Sequence, residues 1–427
     1  MKTQLISVAG AVSLALAMAA PQASAQSASD ISALRSQIEA LQSKVEDLEK
    51  QQKAAQDSQD RTTDMIAQSR ASSASSDWAS KITWKGDLRY RYENVDPEEA
   101  INDQTRQRIR ARFGLTAKMT DTVTGTIQLA TNGGNGDPRS TNQTLGSDWD
   151  RKGVAIDLAY FDWKALPGLN VQLGKTPQPW TKVGSLFWDG DITPEGAAVK
   201  YVNGPFFANA FGYVLGERAT TSDPTLLGGQ FGATGNLGAA KLTGFVSYYD
   251  VGAVEGKVVT VGTGCTAAVN PVFFGNSAQG NTTVRVAGCD FLANDFNIIQ
   301  AAGQVEFKAG SLPVTVFADF LQNQEADDLD TAYAGGFTLG KASAPQSWEF
   351  GYLYQMVEKD SQFGQFVDSD FGGGVTDTEG SVFKIGYAPS KGWVLNGTYF
   401  LNDRFVDAPG ATEREYKRYQ LDINFKF

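Results

Sequence analysis

From residue 81 onward, apolar and polar residues alternate one by one. In "KITWKGDLRYRYE", Ile82, Trp84, Leu88, Tyr90 and Tyr92 share one register, and Lys81, Thr83, Lys85, Asp87, Arg89 and Arg91 share the other. In "TRQRIRARFGL", Arg106, Arg108, Arg110 and Arg112 take every second position, and Ile109, Ala111, Phe113 and Leu115 fall between them. A two-residue step turns a helix by about 200° and would scatter these arginines around a cylinder. On a strand the same step returns to one face. At the far end, "YKRYQLDINFKF" sets Tyr419, Leu421, Ile423, Phe425 and Phe427 against Arg418, Gln420, Asp422, Asn424 and Lys426. Between these ends lie about sixteen alternating segments, close to the ~10-residue strands of outer-membrane barrels.

The connections sort by length. With the first strand taken as upward, the downward-to-upward turns are tight: "TD" at 120, "ALPGL" at 165, "NG" at 203, "LG" at 237, "KAGS" at 308, "KASAPQ" at 341 and "APSKG" at 388. The opposite connections, near 94–103, 131–152, 177–195, 217–225, 252–292, 323–329, 360–377 and 404–412, are mostly longer. Short turns at one end and long loops at the other are the outer-membrane pattern. The fold class is therefore all-β: an antiparallel transmembrane β-barrel of about sixteen strands over residues 81–427, in which closure pairs every backbone group.

The N-terminal segment follows other rules. Lys2, the apolar run "LISVAGAVSLALAMAA" and the A-x-A site ending at Ala25 predict a signal peptide over residues 1–25. Ile31, Leu34, Ile38, Leu41, Val45 and Leu48 recur at steps of three and four, an a/d seam with Lys44 at g and Glu49 at the next e. This predicts a short helical coiled coil over 26–56; a helix packed on its own barrel is the alternative. A Ser-rich flexible linker is expected over 57–80. An even strand number brings both chain ends to the periplasmic side and places the coil there.

Lipid excludes the arginines from the outer face. An arginine near mid-bilayer costs about 2–4 kcal/mol. Four would cost roughly as much as the whole stability of a domain. They must face a water-filled lumen, which about sixteen strands leave open. Closure sets the last strand beside the first. The inward registers then carry Arg414 and Arg418, next Lys85, Arg89 and Arg91, next Arg106, Arg108, Arg110 and Arg112: a continuous basic pore wall. The counter-charge is expected in the connection between the fifth and sixth strands, "TPQPWTKVGSLFWDGDITPEG", through Asp189, Asp191 and Glu195.

Composition narrows the function. Net charge is −11, so general nucleic-acid binding is disfavoured and the arginines are a local exception. Histidine is absent, which removes the usual general base, Ser-His and Cys-His pairs and His-based zinc sites. Carboxylate-only catalysis is the enzymatic route left; no catalytic residue, metal or cofactor is assigned. Cys265 and Cys289 lie in the longest predicted loop, and one disulfide is expected in an exported chain.

The stretches "KGDLRYRYE", "RQRIRARFGLTAK", "STNQTLG", "LAYFDWKALPGLNVQLGK" and "WDGDITPEG" resemble the Gram-negative putative-porin family, over residues 81–427 and most strongly over 81–200. The resemblance implies an outer-membrane barrel for passive diffusion, a third extracellular loop folded into the lumen, and a homotrimer. The heptads are similar to the periplasmic coiled coils of some trimeric porins. The C-terminal Phe427 resembles the signature read by the barrel assembly machinery. Expected partners are thus outer-membrane lipid, lipopolysaccharide and that machinery.

The first reading is a porin for small hydrophilic solutes and ions. A substrate-specific anion channel, for phosphate or organic acids, would use the same arginines as a ladder. An outer-membrane tether or adhesin, with acidic loops such as "EADDLD" at 325–330 free to meet Ca²⁺, is a third reading, and an outer-membrane hydrolase a fourth.

Overall fold

A computed structural model describes residues 28–74, 79–133, 136–219, 221–265, 273–406 and 412–427. The expected signal peptide lies outside them. The chain divides into two units, 1–77 and 78–427.

In the first unit, α1 (Ala28–Ala74) is a continuous helix of 47 residues, about 70 Å long. Ile38 and Leu41 are 51% and 62% exposed, and Val45 and Leu48 are similarly bare. At these four positions the seam is bare. The helix also runs through residues 57–74, where a flexible linker was expected. That stretch holds no Gly or Pro, and the hydroxyls of Thr62 and Thr63 donate back to the carbonyls of Ser58 and Gln59. A Ser-rich composition lowers helix propensity by tenths of a kcal/mol per residue but does not stop a helix already nucleated.

The second unit is a closed barrel. Its strands are β1 (Ile82–Pro97), β2 (Gln104–Lys118), β3 (Val123–Asn132), β4 (Gly153–Leu166), β5 (Leu169–Lys175), β6 (Glu195–Asn203), β7 (Phe206–Val214) and β8 (Thr225–Leu237). They continue as β9 (Ala240–Gly252), β10 (Phe296–Ala309), β11 (Leu312–Asn323), β12 (Thr331–Gly340), β13 (Ser347–Val357), β14 (Thr378–Ser390), β15 (Trp393–Arg404) and β16 (Arg414–Lys426). Each pairs antiparallel with the next, and β1 pairs with β16 to close the ring. The tight turns fall at 119–122, 167–168, 204–205, 238–239, 310–311, 341–346 and 391–392. The longer connections all lie at the other end, as the sequence predicted.

Alternation sets the two faces. Trp84, Leu88 and Tyr90 on β1, Phe113 on β2 and Tyr419, Leu421, Ile423 and Phe425 on β16 are exposed on the outside, while Arg91, Glu93, Arg418, Gln420 and Asp422 are buried inside. Aromatic pairs mark both margins of the outer band. Trp84 stacks on Phe113 at 5.1 Å near the turn end, and Tyr92 meets Tyr419 at 6.1 Å nearer the loops. Eight residues separate Trp84 from Tyr92, about 20 Å of height on a tilted strand, close to the ~25 Å apolar band of such barrels. Among the described residues no helix is long and apolar enough to cross a membrane.

The lumen is partly filled. The 176–194 loop crosses it. Thr181 N–H donates to Gln230 on β8, Ser185 Oγ to Asp319 on β11, and Leu186 N–H to Gln355 on β13. A Cβ at Gly184 would sit 2.2 Å from the Phe317 ring, so only glycine lets the chain lie flat on β11 there. The 358–377 loop also turns inward and covers it. Trp180, Phe187, Trp188, Phe211, Tyr249, Phe363 and Phe366 form one apolar core with buried residues of β6–β15. Trp188 packs on Tyr249 at 4.6 Å and on Phe366 at 5.5 Å. In the 253–295 loop, three short strands, 258–261, 289–292 and 283–286, make a small sheet. Cys265 and Cys289 form the expected disulfide, with Cα atoms 4.8 Å apart.

Candidate pore constriction

The strand registers decide which charges meet. Across β1 and β2, Asp87 lies opposite Arg112, Arg89 opposite Arg110, Arg91 opposite Arg108, and Glu93 opposite Arg106. Across β1 and β16, Arg91 lies opposite Asp422. Like charges directly opposite repel, so the two Arg–Arg rungs need carboxylates from above, below and across.

They have them. Asp87 accepts from Arg112 Nε at 2.7 Å and from Arg110 Nη2 at 2.9 Å. Asp422 accepts from Arg91 in a two-pronged contact, Nε at 2.7 Å and Nη2 at 2.9 Å, the strong fork geometry of a guanidinium on a carboxylate. Glu93, 0% exposed, takes three guanidiniums: Arg106 Nη2 at 2.8 Å, Arg108 Nη1 at 3.2 Å and Arg418 Nη2 at 2.7 Å. From the 358–377 loop, Asp370 reaches Arg91 at 3.0 Å and Arg418 at 2.6 Å. Burial would push the Asp370 carboxyl up, but the charges of Arg418 and Arg91 outweigh it and hold the group well below the usual carboxylate range.

The wall is therefore not purely basic, as the sequence led one to expect. It is a ladder of mixed signs with cations in excess. Arg89 forms no ion pair among the described residues; its Nη2 donates to Asn142 Oδ1 at 2.6 Å. Lys85 is exposed at the turn end. Arg414 sits opposite Arg404 on β15, at the loop end and outside the ladder's ion pairs.

Of the three acids expected to supply counter-charge, one does. Asp191 lies 3.6 Å from Arg112 and 3.9 Å from Arg110. It also accepts from the Thr141 N–H at 3.3 Å and Oγ1 at 3.2 Å, which ties the 133–152 loop to the 176–194 loop. Asp189 is a loop fastener instead. It accepts from Asp191 N–H and Ser369 N–H, both at 2.8 Å. Burial, then the neighbouring charge of Asp368, push its carboxyl well above the ordinary range. Burial, then Asp370, also raise Asp368. Glu195 is the first residue of β6 and pairs with Lys175 opposite it at 2.8 Å, away from the arginines.

Sequence reading missed Glu93, although it continues the inward register two residues past Arg91. It also missed Asp370, for which no local signal exists. Among the described residues no cluster of three or more carboxylates or cysteines is placed to hold a metal ion.

Two cavities of about 560 Å³ flank the ladder. One opens near the turn end and is lined by Lys85, Asp87, Arg112, Lys182 and Asp191. The other opens among the long loops and is lined by Arg106, Arg108, Asn142, Arg151, Asp370 and Arg418. Arg89, Arg91, Arg110 and Asp422 lie between them in register.

A closed sixteen-stranded antiparallel ring, apolar outside and charged inside, with loops folded into its lumen, defines a porin-class outer-membrane barrel. By comparison, residues 96–303 match the family described as putative porin. OprB of Pseudomonas putida has the same fold, with a TM-score of 0.52 at 12% identity, covering 82% of this chain and 95% of that one. A Vibrio cholerae OmpT lacking loop L8 gives a TM-score of 0.47 at 11% identity, covering 81% of this chain and 100% of that one. No curated protein matches the chain.

Proposed function

We propose that this protein is a passive channel for small hydrophilic solutes and ions, that its water path runs along the β16–β1–β2 wall, and that it favours anions. One observation carries the reading. The far half of the lumen is packed with aromatic side chains, and the spaces left on the wall side are lined by its charges. Arg89, Arg91, Arg106, Arg108, Arg110, Arg112 and Arg418 stand against Asp87, Glu93, Asp191, Asp370 and Asp422, an excess of two positive charges in a chain of net charge −11. A narrow, low-dielectric passage focuses that excess on any ion inside it.

The helix fits a homotrimer with a three-stranded coil in the periplasm. Its β-branched a and Leu d positions favour dimers in isolation, but the barrels hold the helices together and raise their effective concentration. Lipopolysaccharide and the assembly machinery, through Phe427, complete the proposed partners. Planar-bilayer recording tests the function. Discrete open channels with an anion-favouring reversal potential in a salt gradient are expected; folded protein that conducts nothing points to a tether or an enzyme.

A further inference from the structure

The loop-end cavity carries an excess of positive charge, and ion pairs fix its inner arginines. Arg106, Arg108, Arg151, Lys152, Arg404 and Arg418 line it, against Asp137, Asp150 and Asp370. Beneath them Glu93 is fully buried and bonded to three guanidiniums at once. One carboxylate cannot neutralise three cations. Asp370 offsets Arg418 and Asp422 offsets Arg91, so Glu93 is left shared between Arg106 and Arg108 with one charge in surplus. Arg108 Nη2 also lies 3.5 Å from Ser140 Oγ. The arginines are thus oriented before any ligand arrives, and little side-chain freedom remains to be lost on binding.

We propose that this cavity is a binding site for small oxyanions carrying two or more negative charges, the chemistry of inorganic phosphate and of small di- and tricarboxylates. Arg106 and Arg108 are its contact residues, and Glu93 is the positioning residue that sets their spacing. The proposal rests on the porin reading above and adds a stop on the path. A cavity of about 560 Å³ admits such a solute with part of its water. Oxygens spread over a tetrahedral or branched anion engage two guanidiniums together. Chloride or nitrate, with one charge, engages the pair less well and passes.

Inorganic phosphate in a mildly alkaline buffer, where it is mainly a dianion, is the probe. Added to single channels carrying chloride current, phosphate is expected to block saturably at concentrations where nitrate does not. The double variant R106Q/R108Q should weaken the block about ten-fold or more, while K426Q at the opposite cavity leaves it in place. Glu93→Gln separates positioning from bulk charge. It makes the site more positive, so a charge-only site would bind phosphate more tightly, whereas a site built on fixed arginines binds it more weakly. If Glu93→Gln fails to fold, Glu93→Asp keeps the charge and shortens the reach, and a weakened block is again expected. Open channels that phosphate blocks no better than nitrate overturn the site and leave the porin reading standing. A block unchanged in R106Q/R108Q overturns it too, and a tighter block in Glu93→Gln removes the positioning role. If no channel opens at all, the porin reading has failed. Calorimetric titration of detergent-solubilised protein with phosphate then decides the site alone: saturable heat lost in R106Q/R108Q supports it, and its absence overturns it.

Discussion

Each arginine of the ladder is set by its neighbours rather than by its own number in the chain. Arg108 and Arg110 face Arg91 and Arg89 directly, so each sets a second cation against the one opposite it in the middle of the ladder. Replacing both by Gln is expected to move the reversal potential in a salt gradient toward cations; an unchanged value means the ladder is not at the narrow part of the path. The loop carboxyls add a pH dependence with two signs. Asp370 is held low in the folded protein. Its contribution is present above the unfolded value of about 4 and is lost as pH falls through the lowered one. Asp189 and Asp368 are raised. Their contribution is full below about 4 and fades as pH rises through the raised values. Hydrogen exchange in the 176–194 and 358–377 loops should thus be most protected, after correction for intrinsic rates, in a mildly acidic window and less protected on both sides. Asp189→Asn should remove most of the loss on the alkaline side. Glu93 was legible in principle, since alternation from Arg89 and Arg91 runs straight to it. Asp370 was not, because its lumen position depends on contacts far apart in sequence, such as Arg139 to the Gly374 carbonyl at 2.6 Å.

At the scale of elements, period-two alternation and the sorting of connections by length made the strands readable. Both follow from one constraint: lipid outside, water inside, and short turns on one end only. The infolding of the 358–377 loop was not readable. A loop that packs inside a barrel buries Phe363, Phe366 and Phe371 without any strand or helix period to betray it. The helix was half readable. Its heptads announced it, but the polar run from Asp57 looked like linker because α-helix and coil differ there only by small propensities. Its bare seam leads to a test: Ile38→Asp with Leu41→Asp is expected to abolish oligomers held by the coil while leaving folded, conducting barrels. Loss of barrel folding would mean that the helix does more than join copies. The disulfide belongs to a separate element. It ties residues 24 apart within the 253–295 loop and lies outside the hydrogen-bonded ring. Cys265→Ser with Cys289→Ser should raise the protease sensitivity of that loop, while the barrel's resistance to heat in detergent changes little.

The whole molecule divides its lumen. On the side of β6–β15, aromatic residues from two infolded loops pack as a protein core does. On the side of β16, β1 and β2, charges line the remaining space. In the proposed reading, ions follow this charged wall. Cysteine accessibility tests this most directly, in a Cys265→Ser, Cys289→Ser background. Arg110→Cys lies on the wall, and Gln300→Cys replaces a buried residue bonded to Tyr249 and Asp319 on the filled side. A small negatively charged thiol reagent added to single channels should react with Arg110→Cys and lower the current, and should leave Gln300→Cys channels untouched. Reaction and block at Gln300→Cys, with none at Arg110→Cys, would place the water path on the opposite side of the barrel and contradict the role of the arginine wall.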